Sequence, residues 1–225
     1  MDSYIGIIAA EDKEMQAIKE IMENIEEIKI YNLSIYKGTI NNKNYLLTKC
    51  GIGKVNAART TQILIDKFNI DHIINLGSAG ALNDKLKIGD IVVGEKLIQH
   101  DFDVTPFGYE KGYIPGTGMV FESGKTLIDK CKEVKIDDVN IVSGTIASGD
   151  IFLNNVQMKE KIKSKFNADC AEMEGASVAQ VCNLNNIPFV VIRSISDIPN
   201  GNNEMDFEKY LDFASKNCAK FIAKI

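Results

Sequence analysis

Short apolar runs alternate with stretches of helical period along this chain. Ile5–Ala10 is a continuous apolar run and reads as a buried strand. Residues 12–26 then place Met15, Ile18, Ile21, Met22 and Ile25 at helical spacing and predict one helix. Leu33–Ile40 and Tyr45–Cys50 flank Asn41-Asn42-Lys43-Asn44 and predict a hairpin. Val55–Phe68 reads as a helix that packs through Ala57, Ala58, Thr61, Ile65 and Phe68. His72–Leu76 is a buried strand ending in Gly77-Ser78-Ala79-Gly80, and Ile91–Ile98 is another strand. Residues 101–120 mix glycines and aromatics without a period and predict a long loop, a feature more often functional than idle. Beyond it the pattern predicts a helix near 124–134, a strand at 139–147, a helix at 155–165 and a strand at 168–173. A helix at 175–185, a strand at Pro188–Ile195 and a final helix from about Asp206 complete the chain.

Strands that alternate with helices, several of them apolar throughout, predict an α/β fold. Its centre is a mixed, mostly parallel sheet with helices on both faces. No repeat, charge block or low-complexity linker interrupts the 225 residues, so a single domain spanning 1–225 is the simplest organisation. In such sheets ligands bind beyond the carboxyl ends of strands, and that is where chemistry is to be sought.

Composition narrows the partners. The chain is 45% hydrophobic and 25% charged with four prolines, which is ordinary for a protein that builds its own core. Acids outnumber bases, the formal net charge is −5, and nucleic acid is therefore not an expected partner. Five cysteines make an odd count and none stands at C-x-x-C spacing, so buried free thiols in a reducing cytoplasm are expected. The N-terminus lacks a basic segment and a small-residue cleavage site, so no signal peptide is expected. No apolar run approaches the ~18 residues of a membrane span, so no membrane partner is expected either.

Four strand ends carry polar residues: Glu11-Asp12-Lys13-Glu14, Gly77-Ser78-Ala79-Gly80, Glu172-Met173-Glu174-Gly175 and Arg193-Ser194-Ile195-Ser196-Asp197. A shared rim holding several carboxylates and one arginine suits acid–base chemistry on a polar, sugar-like substrate. Each element also has a purely structural reading. Acids at a helix start favour the macrodipole. Glu172 and Glu174 could be paired with Arg193, Asp197 could cap a helix or turn, and the glycines could permit a tight turn. Gly51-Ile52-Gly53-Lys54 joins a strand to a helix, but Val55 stands where a phosphate loop needs Ser or Thr. His72 lies in an apolar run and reads as a core histidine. His100-Asp101-Phe102-Asp103 is a weak metal pattern, so neither a metal nor an organic cofactor is expected.

Taken together these motifs resemble the 5′-methylthioadenosine/S-adenosylhomocysteine nucleosidases of the nucleoside phosphorylase/hydrolase fold. The resemblance rests on Ile5-Gly6-Ile7-Ile8 with Glu14, Gly51-Ile52-Gly53-Lys54-Val55 and Asn75-Leu76-Gly77-Ser78-Ala79-Gly80. It continues through Gly89-Asp90-Ile91-Val92-Val93, His100-Asp101, Asp103-Val104-Thr105, Phe107-Gly108-Tyr109 and Pro115-Gly116. Ser148-Gly149-Asp150 with Phe152, Glu172-Met173-Glu174, and Arg193 with Ile195-Ser196-Asp197 complete it. It implies a three-layer sandwich and hydrolysis of the N-glycosidic bond of 5′-thio-substituted adenosines, with 5′-deoxyadenosine a further candidate substrate. It implies Asp197 as general acid toward purine N7, so that this group must carry a proton near neutral pH. Glu14 is implied as the base for water and must start ionised. Glu174 would hold the ribose hydroxyls with Arg193 near it, and Met173 would pack on the ribose. Ser78 and Ser196 would support these contacts. Phe152 would stack on adenine and the Leu153 backbone would read its edge. Glu172, Ala79, Gly80 and Phe207 would complete the lining, and Ile52 would line the 5′ pocket. Val104, Phe107, Tyr109 and Pro115 would cap that pocket in a neighbouring subunit, implying a homodimer. Rival readings are a 6-amino-6-deoxyfutalosine hydrolase, a phosphate-dependent phosphorylase and a non-catalytic nucleoside-binding protein. With only two arginines, Arg59 and Arg193, the chain favours water over phosphate as nucleophile.

Overall fold

The computed structural model describes residues 2–199 and 203–225, and the side chains of all of these except 203–205. The strands are β1 (Tyr4–Ala9), β2 (Glu23–Ile30), β3 (Leu33–Ile40), β4 (Lys43–Lys49), β5 (Ile70–Ala81), β6 (Ile91–Gln99), β7 (Phe121–Glu122), β8 (Ile141–Ser148), β9 (Cys170–Glu172) and β10 (Phe189–Asp197). The helices are α1 (Asp12–Lys19), α2 (Lys54–Lys67), α3 (Lys125–Glu133), α4 (Val156–Phe166), α5 (Gly175–Leu184) and α6 (Asn203–Ile222). All ten strands belong to one mixed sheet. Its order is β10-β6-β8-β9-β5-β1-β4-β3-β2, and a further β10–β5 pairing closes the first five strands into a ring. β1 pairs in parallel with β4 and β5, β5 with β10, and β8 with β6 and β9. Antiparallel pairings form the β2–β3–β4 flank and join β10 to β6, β5 to β9 and β6 to β7.

Period-two alternation along the central strands splits the core in two. Ile8, Leu46, Ile73, Val92 and Val191 face one side, where α2 and α5 bring Ala57, Leu64, Val178 and Cys182. Ile7, Leu47, Ile74, Val93 and Val190 face the other, where α1, α3 and α6 bring Ile18, Leu127 and Phe221. Burying one such aliphatic chain stabilises the fold by roughly 1.5–3 kcal/mol, so both helix layers are held firmly. The central strands are thus apolar throughout because each has a helix layer on both faces, and the expected α/β sandwich is the observed one.

The structure departs from the periodicity in two places, while the segment 101–120 keeps the loop character expected of it. The expected helix over 12–26 is α1 followed by a strand. α1 stops at Lys19 with Glu20 as its C-cap, a turn closes through Ile21 and Met22 onto Ile18 and Lys19, and β2 then pairs with β3 as an exposed edge, with Asn24 at φ 55° in its register shift. Ile21 and Ile25 therefore matched a helical spacing by coincidence. The strand expected to stop at Leu76 runs on to Ala81. Gly77–Gly80 pair with Arg193–Asp197 of β10, so they do not form a tight turn. The segment 101–120 contains one 3-10 turn, Thr105–Phe107, and an Ile114–Gly118 bridge, with the short β7 following it.

Candidate active site

The carboxyl ends of β1, β5, β9 and β10 open on a cavity of about 330 Å³. Glu14, Ile52, Ser78, Ala79, Gly80, Phe152, Leu153, Glu172, Met173, Glu174, Arg193, Ser196, Asp197 and Phe207 all line it. The four separate strand ends therefore meet in one place. Val104, Phe107, Tyr109 and Pro115 do not line it. They lie in the 101–120 segment, where Phe107 is 80% exposed and Tyr109 44% exposed.

Glu14 sits in the first turn of α1 and is buried. Its Oε2 accepts from the backbone N–H groups of Ala10 and Glu11, both at 3.0 Å, so it does help to hold the helix start. Its Oε1 accepts from the Ser78 N–H at 2.9 Å and the Ser78 hydroxyl at 3.1 Å. Burial pushes this carboxyl above its ordinary range, while the hydrogen bonds and Arg193 pull it back. Gly77 explains how the carboxylate can lie so near β5. A Cβ there would stand 2.8 Å from Glu14 Oε1, and one on Gly80 would stand 2.8 Å from Asp197 Oδ2. These glycines are required by the close approach of two carboxylates. Three residues of strand, roughly 10 Å, separate them.

Glu172 is the structural anchor of the opposite wall. Its Oε1 accepts from the Ser148 hydroxyl. Its Oε2 accepts from Arg193 and from the backbone N–H groups of Glu174 at 3.1 Å and Gly175 at 2.7 Å. Arg193 Nη2 also donates to Asn75 Oδ1 at 2.5 Å, and Asn75 in turn donates to the Ile8 carbonyl at 2.9 Å. The structural pairing considered for the arginine is thus realised with Glu172. Glu174 remains at the pocket, at the N-cap of α5, where its Oε1 accepts from the Gly53 N–H at 2.7 Å. Gly53 makes that contact at φ +98°, a conformation that favours glycine. Burial and the neighbouring Glu172 push the Glu174 carboxyl up to about 8, with Arg193 opposing.

Asp197 ends β10 and is buried. Its Oδ1 lies 3.2 Å from the Ser196 hydroxyl, which also lies 3.3 Å from the Ala79 carbonyl. Its Oδ2 accepts from the Lys159 ammonium at 2.8 Å. Lys159 is a residue that the strand-end reasoning missed. It stands on α4 at i−3 from Ile162 and i−7 from Phe166, the spacing of the helix's apolar stripe, and that was its available signal. Phe152 and Phe207 meet edge-to-face at 5.9 Å above the pocket, and Leu153 is buried beside them.

The Gly51–Lys54 turn is occupied from within. Lys54 Nζ donates to Asp101 at 2.7 Å and Gln99 at 3.1 Å, which fits no phosphate loop. Asp103 accepts from Thr105 and His72 lies 2.6 Å from Asp71, so these two are engaged locally, whereas the buried His100 Nε2 has no hydrogen-bond partner among the described residues. Among the described residues no group of three His, Cys, Asp or Glu side chains converges as a metal site. Among them, too, no helix is long and apolar enough to cross a membrane.

The geometry has counterparts in known proteins. Residues 4–225 match the family model of the phosphorylase superfamily. A 5′-methylthioadenosine/S-adenosylhomocysteine nucleosidase of Staphylococcus aureus is 41% identical over 220 residues, covering 97% of this chain and 96% of the relative. The nucleosidase of Neisseria meningitidis, solved in complex with methylthio-immucillin-A, superposes with a TM-score of 0.95 at 36% identity, covering 98% and 97% of the two chains. A futalosine hydrolase of Helicobacter pylori superposes with a TM-score of 0.94, also at 36% identity, covering 99% and 96%. With residues 4–225 matched by the family model and 97% of the chain matched by a relative at 41% identity, the chain belongs to the phosphorylase superfamily and, within it, to the 5′-methylthioadenosine/S-adenosylhomocysteine nucleosidases.

Proposed function

We propose that this protein hydrolyses the N-glycosidic bond of 5′-methylthioadenosine and S-adenosylhomocysteine, releasing adenine and the thioribose product. The observation that carries this is the pair of buried carboxylates, Glu14 and Asp197, set against Gly77 and Gly80 at the two ends of one polar strand segment. Adenine is a poor leaving group as an anion, so the reaction needs a proton on the purine and a nucleophile at C1′. Asp197 donates to N7, and the C1′–N9 bond breaks with its electron pair going to adenine. Glu14 takes a proton from the water that attacks C1′. A carboxyl raised by burial is a stronger base than an ordinary one, and the four hydrogen bonds it accepts favour its ionised form, which supports that role. Glu174 binds the ribose hydroxyls, and Arg193 acts on it through Glu172. Ser78 positions Glu14, and Ser196 positions Asp197. Met173 packs on the ribose, with Ala79 and Gly80 below it. Phe152 and Phe207 enclose adenine, and the Leu153 backbone reads its edge.

Water is favoured over phosphate because the two cationic side chains at the pocket, Arg193 and Lys159, are already engaged with Glu172 and Asp197. A phosphate would need such groups for itself. Ile52 lines the 5′ end of the pocket, and its other wall is supplied by Val104, Phe107, Tyr109 and Pro115 of a second copy in a homodimer. The exposure of Phe107 and Tyr109 supports this. The enzyme acts in the cytoplasm on a small nucleoside, in the salvage of methionine. Its net charge of −5 offers no affinity for nucleic acid. The likeness to a futalosine hydrolase keeps a 6-amino-6-deoxyfutalosine activity as the second reading, since the purine and ribose subsites would serve both.

The test is product analysis by chromatography with 5′-methylthioadenosine, with and without phosphate. Adenine and methylthioribose at equal rates in both are expected. Phosphate-dependent methylthioribose-1-phosphate would overturn hydrolysis. Adenine release from 6-amino-6-deoxyfutalosine alone would replace the substrate assignment with the second reading.

A further inference from the structure

The Lys159–Asp197 pair has no place in the chemistry above. An ammonium lies 2.8 Å from the carboxyl that must deliver a proton, with side-chain exposures of 2% and 5%. Lys159 is set by α4, whose first turn is fixed by Asn155 accepting from the Met158 N–H at 2.8 Å. The lysine therefore reaches the pocket from the second turn of a capped helix. The groups around Asp197 can be named wall by wall. Cys170 and Glu172 lie on β9, Glu174 at the start of α5, Arg193 on β10 itself and Glu14 on α1, while α6 contributes the apolar ring of Phe207. Arg193 spends its hydrogen bonds on Glu172 and Asn75. Of these groups, Lys159 is the cation in direct contact with the acid.

We propose that Lys159 is the positioning residue of the acid: it fixes the Asp197 carboxyl and holds it as a carboxylate in the empty pocket, so that the proton for the purine is taken up with the ligand. A buried carboxylate is costly without a partner, and a buried ammonium 2.8 Å away supplies one. The ammonium also favours the charged over the neutral carboxyl, which opposes the protonation that acid catalysis requires. Docking of a purine, with N7 as acceptor at the carboxyl, reverses this preference, and one proton from solvent then occupies the Asp197–N7 hydrogen bond. This inference rests on the reading of Asp197 as the acid.

The experiment is the pH profile of kcat/KM for the wild type, Lys159→Met, Lys159→Gln and Lys159→Arg. This profile reports the free enzyme's essential groups. Acid catalysis fails where Asp197 is ionised, so removing the cation moves the alkaline limb upward. A charge within ~4–6 Å is worth about 1–3 pH units, so a shift of that size is expected in both neutral variants. Lys159→Arg keeps the charge and leaves the limb near its wild-type position. Unmoved limbs in the neutral variants would overturn the proposal, as would an equal shift in Lys159→Arg. A second measurement needs no variant: adenine binding to the wild type, followed calorimetrically near neutral pH in buffers of different ionisation enthalpy. Uptake of about one proton per adenine is expected, and no uptake would overturn the proposal. A wild type that releases no adenine at any pH would instead sink the reading of the site itself.

Discussion

Replacing Gly77 by alanine separates catalytic geometry from packing in this fold. A Cβ at this position would stand 2.8 Å from Glu14 Oε1, 3.1 Å from its Cδ and 3.2 Å from its Oε2. Ordinary contact begins at 3.4 Å, so the carboxylate and the strand must part by 3.4 − 2.8, or about 0.6 Å. Glu14 has no easy retreat. Its Oε2 is tied to two backbone N–H groups at 3.0 Å, and the 2.9 Å bond from the Ser78 N–H is the one that stretches. Misplacement by about 1 Å costs ~10²-fold in rate, so a loss on the order of 10–10² in kcat is expected. The stability cost is that of overpacking, about 1–3 kcal/mol. Gly94→Ala is the matched control. Its Cβ would also meet an atom at 2.8 Å, but that atom is Ile146 Cδ1 at the end of a flexible side chain on β8. It should lower the melting temperature similarly and leave the turnover of the folded enzyme intact. The assay is the initial rate of adenine release at saturating 5′-methylthioadenosine, well below both melting temperatures. A Gly77→Ala enzyme with the same kcat as Gly94→Ala would refute the idea that the glycine exists to admit Glu14.

Three further outcomes are expected. Asp197→Asn should lose about 10²–10⁴-fold in turnover while a substrate analogue still binds, and unchanged turnover would remove Asp197 as the acid. The Glu174 carboxyl, pushed from an ordinary 4.5 up to about 8, keeps in the folded chain a proton that the unfolded chain loses. Its contribution to stability is therefore full below about 4.5 and is lost as the pH rises to about 8. The melting temperature of Glu174→Gln should accordingly rise relative to wild type across that window, and a pH-independent difference would refute it. Sedimentation of the purified chain should show a dimer that Phe107→Asp weakens; a monomer with full activity would discard the shared 5′ pocket.

The legible part of the site was the part written in contiguous strand-end motifs. Glu14, Gly77–Gly80, Glu172–Glu174 and Arg193–Asp197 each follow or end an apolar run, so their convergence follows once the strands share a sheet. Lys159 was hard to read, despite its place on the apolar stripe of α4, for a physical reason. It is one of several lysines on α4, and a solvated lysine is the ordinary occupant of a helix face. Its burial depends on a carboxylate 38 residues away in sequence. The Gly77–Gly80 segment was misread because glycine in sequence signals local freedom, whereas here it answers to a side chain from another element. β2 was misread because an edge strand is held by its neighbour β3 and carries little apolar pattern of its own.

By itself the order of apolar runs and helical periods determined the layers: continuous runs must be covered on both faces, and two helix layers are what cover them. The strand-end motifs determined which residues line the pocket. Only the tertiary structure decided which carboxylates are free and which are tied. Glu172 anchors Arg193, Glu174 is left at the pocket accepting from Gly53, and Asp197 faces a lysine. Such choices depend on burial and on charges brought together from distant segments, and neither quantity exists until the sheet has closed.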